Sequence, residues 1–143
     1  MKVGIPVAML IGVSWAALEA QPARSVWDGV YTDEQSKHGR ELYGQICAVC
    51  HGDDLGGGDV APPLAGADFL SNWSGSTAGD LFERMRTTMP QNKPGSLSRE
   101  THAAILAYIL SANKFPAGKT ELSSQTEVLN QIRIDPPKSG QKH

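Results

Sequence analysis

The chain has 143 residues, with 13 Lys and Arg set against 15 Asp and Glu for a formal charge of −2. That balance excludes the basic stripe that a nucleic-acid partner requires. The length allows one small domain with a modest core, and two cysteines close together in sequence are too few to staple it.

The opening, "MKVGIPVAMLIGVSWAALEAQPARS", places one lysine before an apolar run and small residues after it. This is the pattern of a secretory signal peptide, residues 1–20, with cleavage near Gln21. Gly4, Pro6, Gly12 and Ser14 interrupt the run, and it falls short of the roughly 20 apolar residues that cross a bilayer. The expectation is a periplasmic mature protein with no membrane span, a retained anchor being the alternative. Residues 21–31 then read as a linker.

A first helix follows. Thr32 and Gln35 have the spacing of a capping box, and Asp33 and Glu34 suit the positive end of the helix dipole. Gly39, Leu42, Tyr43 and Ile46 recur at i, i+3, i+4, i+7 and mark one face. Cys47, Cys50 and His51 repeat the i, i+3, i+4 pattern, so a continuing helix projects all three from one side.

The segment "GDDLGGGDVAPPLAGADFLSNWSGS" reads as one long irregular loop. A loop of that length in a small domain wraps or binds something. Its "DDLGGGD" lacks the ligand rhythm of an EF-hand and the Gly-Lys-Ser/Thr of a P-loop. Thr77 with Asp80 caps a short helix whose apolar face is Leu81, Phe82 and Met85, and Pro90 ends it at Met89. The strongest helix is "SLSRETHAAILAYILSANK", capped by Ser98, with Ala104, Ile105, Tyr108 and Ile109 on one face. Ser124 and Glu127 introduce a short closing helix through Val128, Leu129 and Ile132, and residues 135–143 read as a disordered tail. With no convincing strand, the fold class is all-α.

Three chemistries compete for "GQICAVCHGDD". A structural zinc site needs four ligands, and no second thiol pair or suitably spaced histidines exist. A redox dithiol wants a βαβ context, which is not visible. C-x-x-C-H is the attachment signature of haem c. Thiols one helical turn apart reach two vinyl groups on one porphyrin edge, and the adjacent His51 is carried beneath the ring to bind iron.

The occupant of the sixth iron position separates electron transfer from catalysis or gas binding. Met85 sits on a helix face, where methionine is usually core filler. Met89, in the proline-bounded "TTMPQNKPG", is the expected distal ligand. His38 and His102 read as solvated surface residues. Arg84, Arg86 and Lys93 could neutralise propionates or dock a partner, but read as solvated helix positions.

In order, "CAVCHG", "APPLAG", "FLSNW", "TTMPQNKPGSLS" and "ILAYIL" resemble the class I monohaem cytochromes c. The resemblance covers about Thr32 to Ala112, making 32–112 the cytochrome c domain and 113–134 an extension with a short helix. It implies a cytochrome c-like fold wrapped around one covalently attached haem, with terminal helices crossing over one haem edge. On the same analogy Gly39 permits their close approach, Tyr43 and Tyr108 pack at the crossing, and Pro62 or Pro63 offers a carbonyl to His51. Trp73 corresponds to an aromatic near the propionates. "VWDGVYT" with "FPAGKTEL" resembles cytochromes that accompany quinoprotein dehydrogenases. The expected function is electron transfer between periplasmic redox partners, such as a dehydrogenase and a terminal oxidase or another cytochrome, without enzymatic activity. The alternatives are a haem subunit of a dehydrogenase complex, and a sensor or peroxidase-like enzyme with a labile sixth ligand.

Overall fold

Two helices of 14 residues each set the frame: α1, Asp33–Ile46, and α5, Arg99–Ala112. They cross at Gly39. A methyl group built there would lie 1.8 Å from the Ala104 carbonyl oxygen, so the backbones touch where only hydrogen fits. Beside the crossing the Tyr43 and Tyr108 rings meet edge to face, with centroids 5.3 Å apart. Helix α5 is apolar nearly all round, with Ala103 to Ala107, Ile109 and Leu110 buried, as befits a helix enclosed by its neighbours.

The computed structural model describes Met1 and residues 23–137; residues 2–22, which hold the rest of the expected signal peptide and the start of the expected linker, and tail residues 138–143 lie outside the described residues. In chain order the elements are strand β1 (Arg24–Ser25), a 3-10 turn (Val26–Asp28), α1, α2 (Ala48–His51), α3 (Ala67–Trp73), α4 (Ala78–Thr88), α5, α6 (Thr126–Leu129) and strand β2 (Ile132–Arg133).

Several local expectations change. Thr32 caps α1 by accepting from the Gln35 amide, but Gln35 does not complete a capping box. Its side chain instead donates to the Leu122 carbonyl at 2.9 Å and accepts from the Leu122 amide at 2.7 Å. At α4 the reciprocal box of Thr77 and Asp80 is complete, and Ser98 caps α5. The long loop contains helix α3, which Gly66 starts without a side-chain cap, so it carries no start signal. Ser124 is not the cap of α6; its hydroxyl donates to Glu100, and Gln125 occupies the cap position. Ile132 leaves that helix for β2, which pairs in parallel with β1.

Nor do residues 24–31 behave as a linker. Val26, Val30 and Tyr31 are buried in one core with Phe82, Leu106, Phe115, Leu122, Leu129 and Ile134. Burying each such side chain contributes about 1.5–3 kcal/mol. The expected divisions at 31 and 112 therefore do not follow the packing. The start of the tail is also held, because the Asp135 carbonyl accepts from Trp27 Nε1 at 3.1 Å.

Glu83 joins three elements. It pairs with Arg86 on α4 at 2.7 Å, accepts from Thr126 on α6 and lies 3.7 Å from Arg99 on α5. Hydrogen bonds from Arg86 and then Thr126 pull its carboxyl down to about 2. A depressed carboxyl stabilises the fold above its unfolded value of about 4.3 and loses that contribution as pH falls toward its folded value. Glu83→Gln should cost less than about 1 kcal/mol at neutral pH, as surface pairs do. It should also flatten the acid-side decline in stability, measured by urea unfolding across that pH range.

Candidate functional site

The site begins where α1 stops. Cys47 caps the helix with φ −104° and ψ −34°, and α2 adds a single turn ending at His51. The helix is not continuous as expected. One-turn spacing survives because the amides of Cys50 and His51 both donate to the Cys47 carbonyl, at 3.1 and 3.0 Å. Tyr43 braces the exit of this turn, its hydroxyl donating to the Gly52 carbonyl at 2.7 Å.

His51 is buried. Its Nδ1 lies 2.9 Å from the Pro62 carbonyl oxygen. A carbonyl can only accept, so in the neutral imidazole Nδ1 carries the proton and Nε2 keeps its lone pair. Of the two prolines suggested by the family resemblance, Pro62 makes this bond. The loop that presents it is tied by the Gly57 amide to the His51 carbonyl at 2.8 Å. Asn113, which sequence reading missed, fixes the far end: it donates to the Leu64 carbonyl at 2.9 Å and accepts from the Gly66 amide at 3.0 Å.

Cys47, Cys50, His51 and Pro62 line a cavity of about 520 Å3, and Met85 and Met89 line it from α4. Pockets for cofactor-sized molecules run from about 300 to 1,000 Å3. Met89 is the C-cap of α4, in extended conformation at φ −121° and ψ 150°, where the chain leaves the helix. Half-buried Trp73 and the buried Leu81, Ile105 and Ile109 also line the cavity. Arg84 is exposed at the cavity edge, Arg86 is committed to Glu83, and Lys93 is exposed.

His102 corrects the reading of a solvated residue. It is 1% exposed, packs edge-on to Phe82 and lines the cavity, with Nδ1 3.0 Å from the Ser98 carbonyl oxygen. Its Nε2 is the buried side-chain polar atom without a partner among the described residues. Its position three residues before Ile105, in an otherwise apolar helix, was the available signal. His38 is exposed, as expected.

Burial, followed by the neighbouring Cys50, pushes the Cys47 thiol up to about 11. The donor set of the cavity is two thiols, the imidazoles of His51 and His102 and two thioethers, in a mostly apolar lining. That set fits a haem.

Residues 34–109 match the family described as cytochrome c oxidase, cbb3-type, subunit III. The chain belongs to this family. It is a monohaem class I cytochrome c, an electron-transfer protein with covalently bound haem c. The cytochrome is 40% identical over 81 residues to a thiosulfate dehydrogenase of Stutzerimonas stutzeri (strain A1501), an alignment spanning 50% of this chain and 25% of the relative. It therefore spans about a quarter of that protein's length. In fold it is similar to the sulfane dehydrogenase SoxCD from Paracoccus pantotrophus, with TM-score 0.50 and 23% identity over 76% of this chain and 61% of the other. Among the described residues, no helix of the cytochrome is long and apolar enough to cross a membrane.

Proposed function

We propose that this cytochrome is an exported one-electron carrier that serves a dehydrogenase, with Cys47 and Cys50 as haem anchors and His51 and Met89 as axial ligands. The observation that carries the reading is the cavity wall itself: two thiols, a histidine with Nε2 free and a loop methionine meet there. When bound, the haem supplies the Fe(III)/Fe(II) couple.

The chain's residues do the rest. The Pro62 carbonyl holds the Nδ1 proton of His51, which fixes the ring and strengthens donation from Nε2. Met89 offers a thioether, a ligand that raises the potential relative to two nitrogens. Leu81, Ile105 and Ile109 keep the wall apolar and exclude water. With His51 and Met89 both holding the iron, the cytochrome alone would perform no bond chemistry.

Beside the cavity, Val49 is 89% and Val60 80% exposed. Apolar surface next to the anchoring cysteines suits brief docking through a small interface. The dehydrogenase partner is supported by the name of the 40% identical relative, its quinoprotein character by the sequence resemblance alone, and export by the opening segment.

A turnover assay tests the carrier reading. Purified holoprotein given thiosulfate and ferricyanide should form no tetrathionate, yet ascorbate should reduce it and ferricyanide reoxidise it. Sustained tetrathionate formation by the isolated chain would make it an enzyme.

A further inference from the structure

We propose that the C-terminal extension is a clamp that presses α4 against the haem cavity and keeps the sixth iron position closed to small ligands. The proposal rests on the reading of Met89 as distal ligand and adds what holds that ligand in place.

Helix α4 has two working faces. Leu81, Arg84, Met85 and Thr88, with Met89 at the C-cap, line the cavity. Gly79 and Glu83, at i and i+4, share another face of the helix. Those two positions meet the extension. A methyl group at Gly79 would lie 2.0 Å from Asn130 Oδ1 and 2.8 Å from the Asn130 amide nitrogen, so α6 sits directly on the helix. Thr126 donates to Glu83. Before α4 the chain is held by reciprocal backbone bonds: the Ile134 amide to the Ser76 carbonyl, and the Gly75 amide to the Ile134 carbonyl, both at 2.9 Å.

A clamp needs an anchor elsewhere, and this one has several. The Leu122 backbone is bonded twice to Gln35 on α1. Arg99 on α5 donates to the Ser124 carbonyl at 2.8 Å and to Thr126 at 2.6 Å. Strand β2 pairs with β1, and Leu129, Ile132 and Ile134 are buried. The extension thus spans from the α1–α5 frame to α4. It lies beyond residue 109, where the family match ends.

Met89 sits at the C-cap of α4, so movement of α4 away from the cavity would carry its thioether away from a haem held there. Local openings of this kind have their own free energy, below that of global unfolding. Loosening the clamp should lower it.

The test compares carbon monoxide binding to reduced holoprotein in Gly79→Ala, Ile134→Ala and Thr32→Ala. Gly79→Ala pushes Asn130, at the end of α6, away from the helix. Ile134→Ala thins the clamp without a clash, and so keeps the test alive if the first variant does not fold. Thr32→Ala removes the N-cap of α1, whose side chain bonds neither the extension nor α4. The clamp variants should bind carbon monoxide at least roughly tenfold faster than wild type, while Thr32→Ala at matched denaturant stability should not. Rates unchanged in the clamp variants, or tracking stability in all three, would overturn the clamp. Met89→Ala is run alongside: if it does not admit carbon monoxide, the ligand assignment has failed, whereas if only the clamp variants stay closed, the clamp alone has failed.

Discussion

Gly39→Val should yield little or no folded holoprotein. The first added carbon would meet the Ala104 carbonyl oxygen at 1.8 Å and its carbonyl carbon at 2.5 Å, both backbone atoms of a helix that cannot rotate aside. Helices α1 and α5 must then separate, which opens the Tyr43–Tyr108 contact beside them. Overpacking typically costs about 1–3 kcal/mol, and more where backbone has to move. A non-glycine residue in mid-helix would gain at most about 1 kcal/mol of propensity, so the clash wins. Gly44 provides the contrast, since a methyl group there meets nothing within 4 Å. Gly44→Ala should therefore stabilise the protein by about 0.5–1 kcal/mol. Measured together, the yield of folded holoprotein should collapse in Gly39→Val, while the guanidinium midpoint should rise in Gly44→Ala.

The second large effect is expected from the cysteines. Cys47→Ala with Cys50→Ala should leave no haem on the polypeptide in a denaturing gel, because no other thiol exists to add across a vinyl group. The consequence reaches the fold. An empty cavity of about 520 Å3 leaves the mostly apolar side chains that line it without their packing partner. Whole domains are stable by only about 5–15 kcal/mol, so the loss of that contact is severe. The double variant should show a collapsed or partly unfolded far-ultraviolet signal. Haem-positive bands in the double variant would place the attachment elsewhere.

What the sequence disclosed was local. The one-turn spacing of Cys47, Cys50 and His51, the caps at Thr77 and Ser98, and the end of α4 before Pro90 depend on residues within a turn of each other. The same is true of the Gly39 and Tyr43 face, whose partners on α5 lie in a strongly periodic segment. What remained hidden depends on distant chain. Helix α3 has no cap to announce it. The Gln35 side chain is spent on Leu122 rather than on its own helix, 87 positions away. Asn113 positions the Pro62 loop from the end of α5, and Asn130 seats on Gly79. His102 looked solvated because a lone histidine near a helix start usually is, and only tertiary packing with Phe82 buries it. Cys47, Cys50, His51 and Met89 were each singled out from the sequence, but the second face of α4 was not, since nothing in its sequence says what it meets.

The most direct measurement is an optical spectrum of holoprotein exported by a host that matures c-type cytochromes. It is recorded oxidised, reduced, and reduced under carbon monoxide, for wild type and Met89→Ala. The proposed ligation predicts a low-spin c-type spectrum in wild type that carbon monoxide leaves unchanged, and a Met89→Ala protein that turns high-spin and binds the gas. A wild type that binds carbon monoxide readily, or a Met89→Ala spectrum identical to wild type, would contradict it.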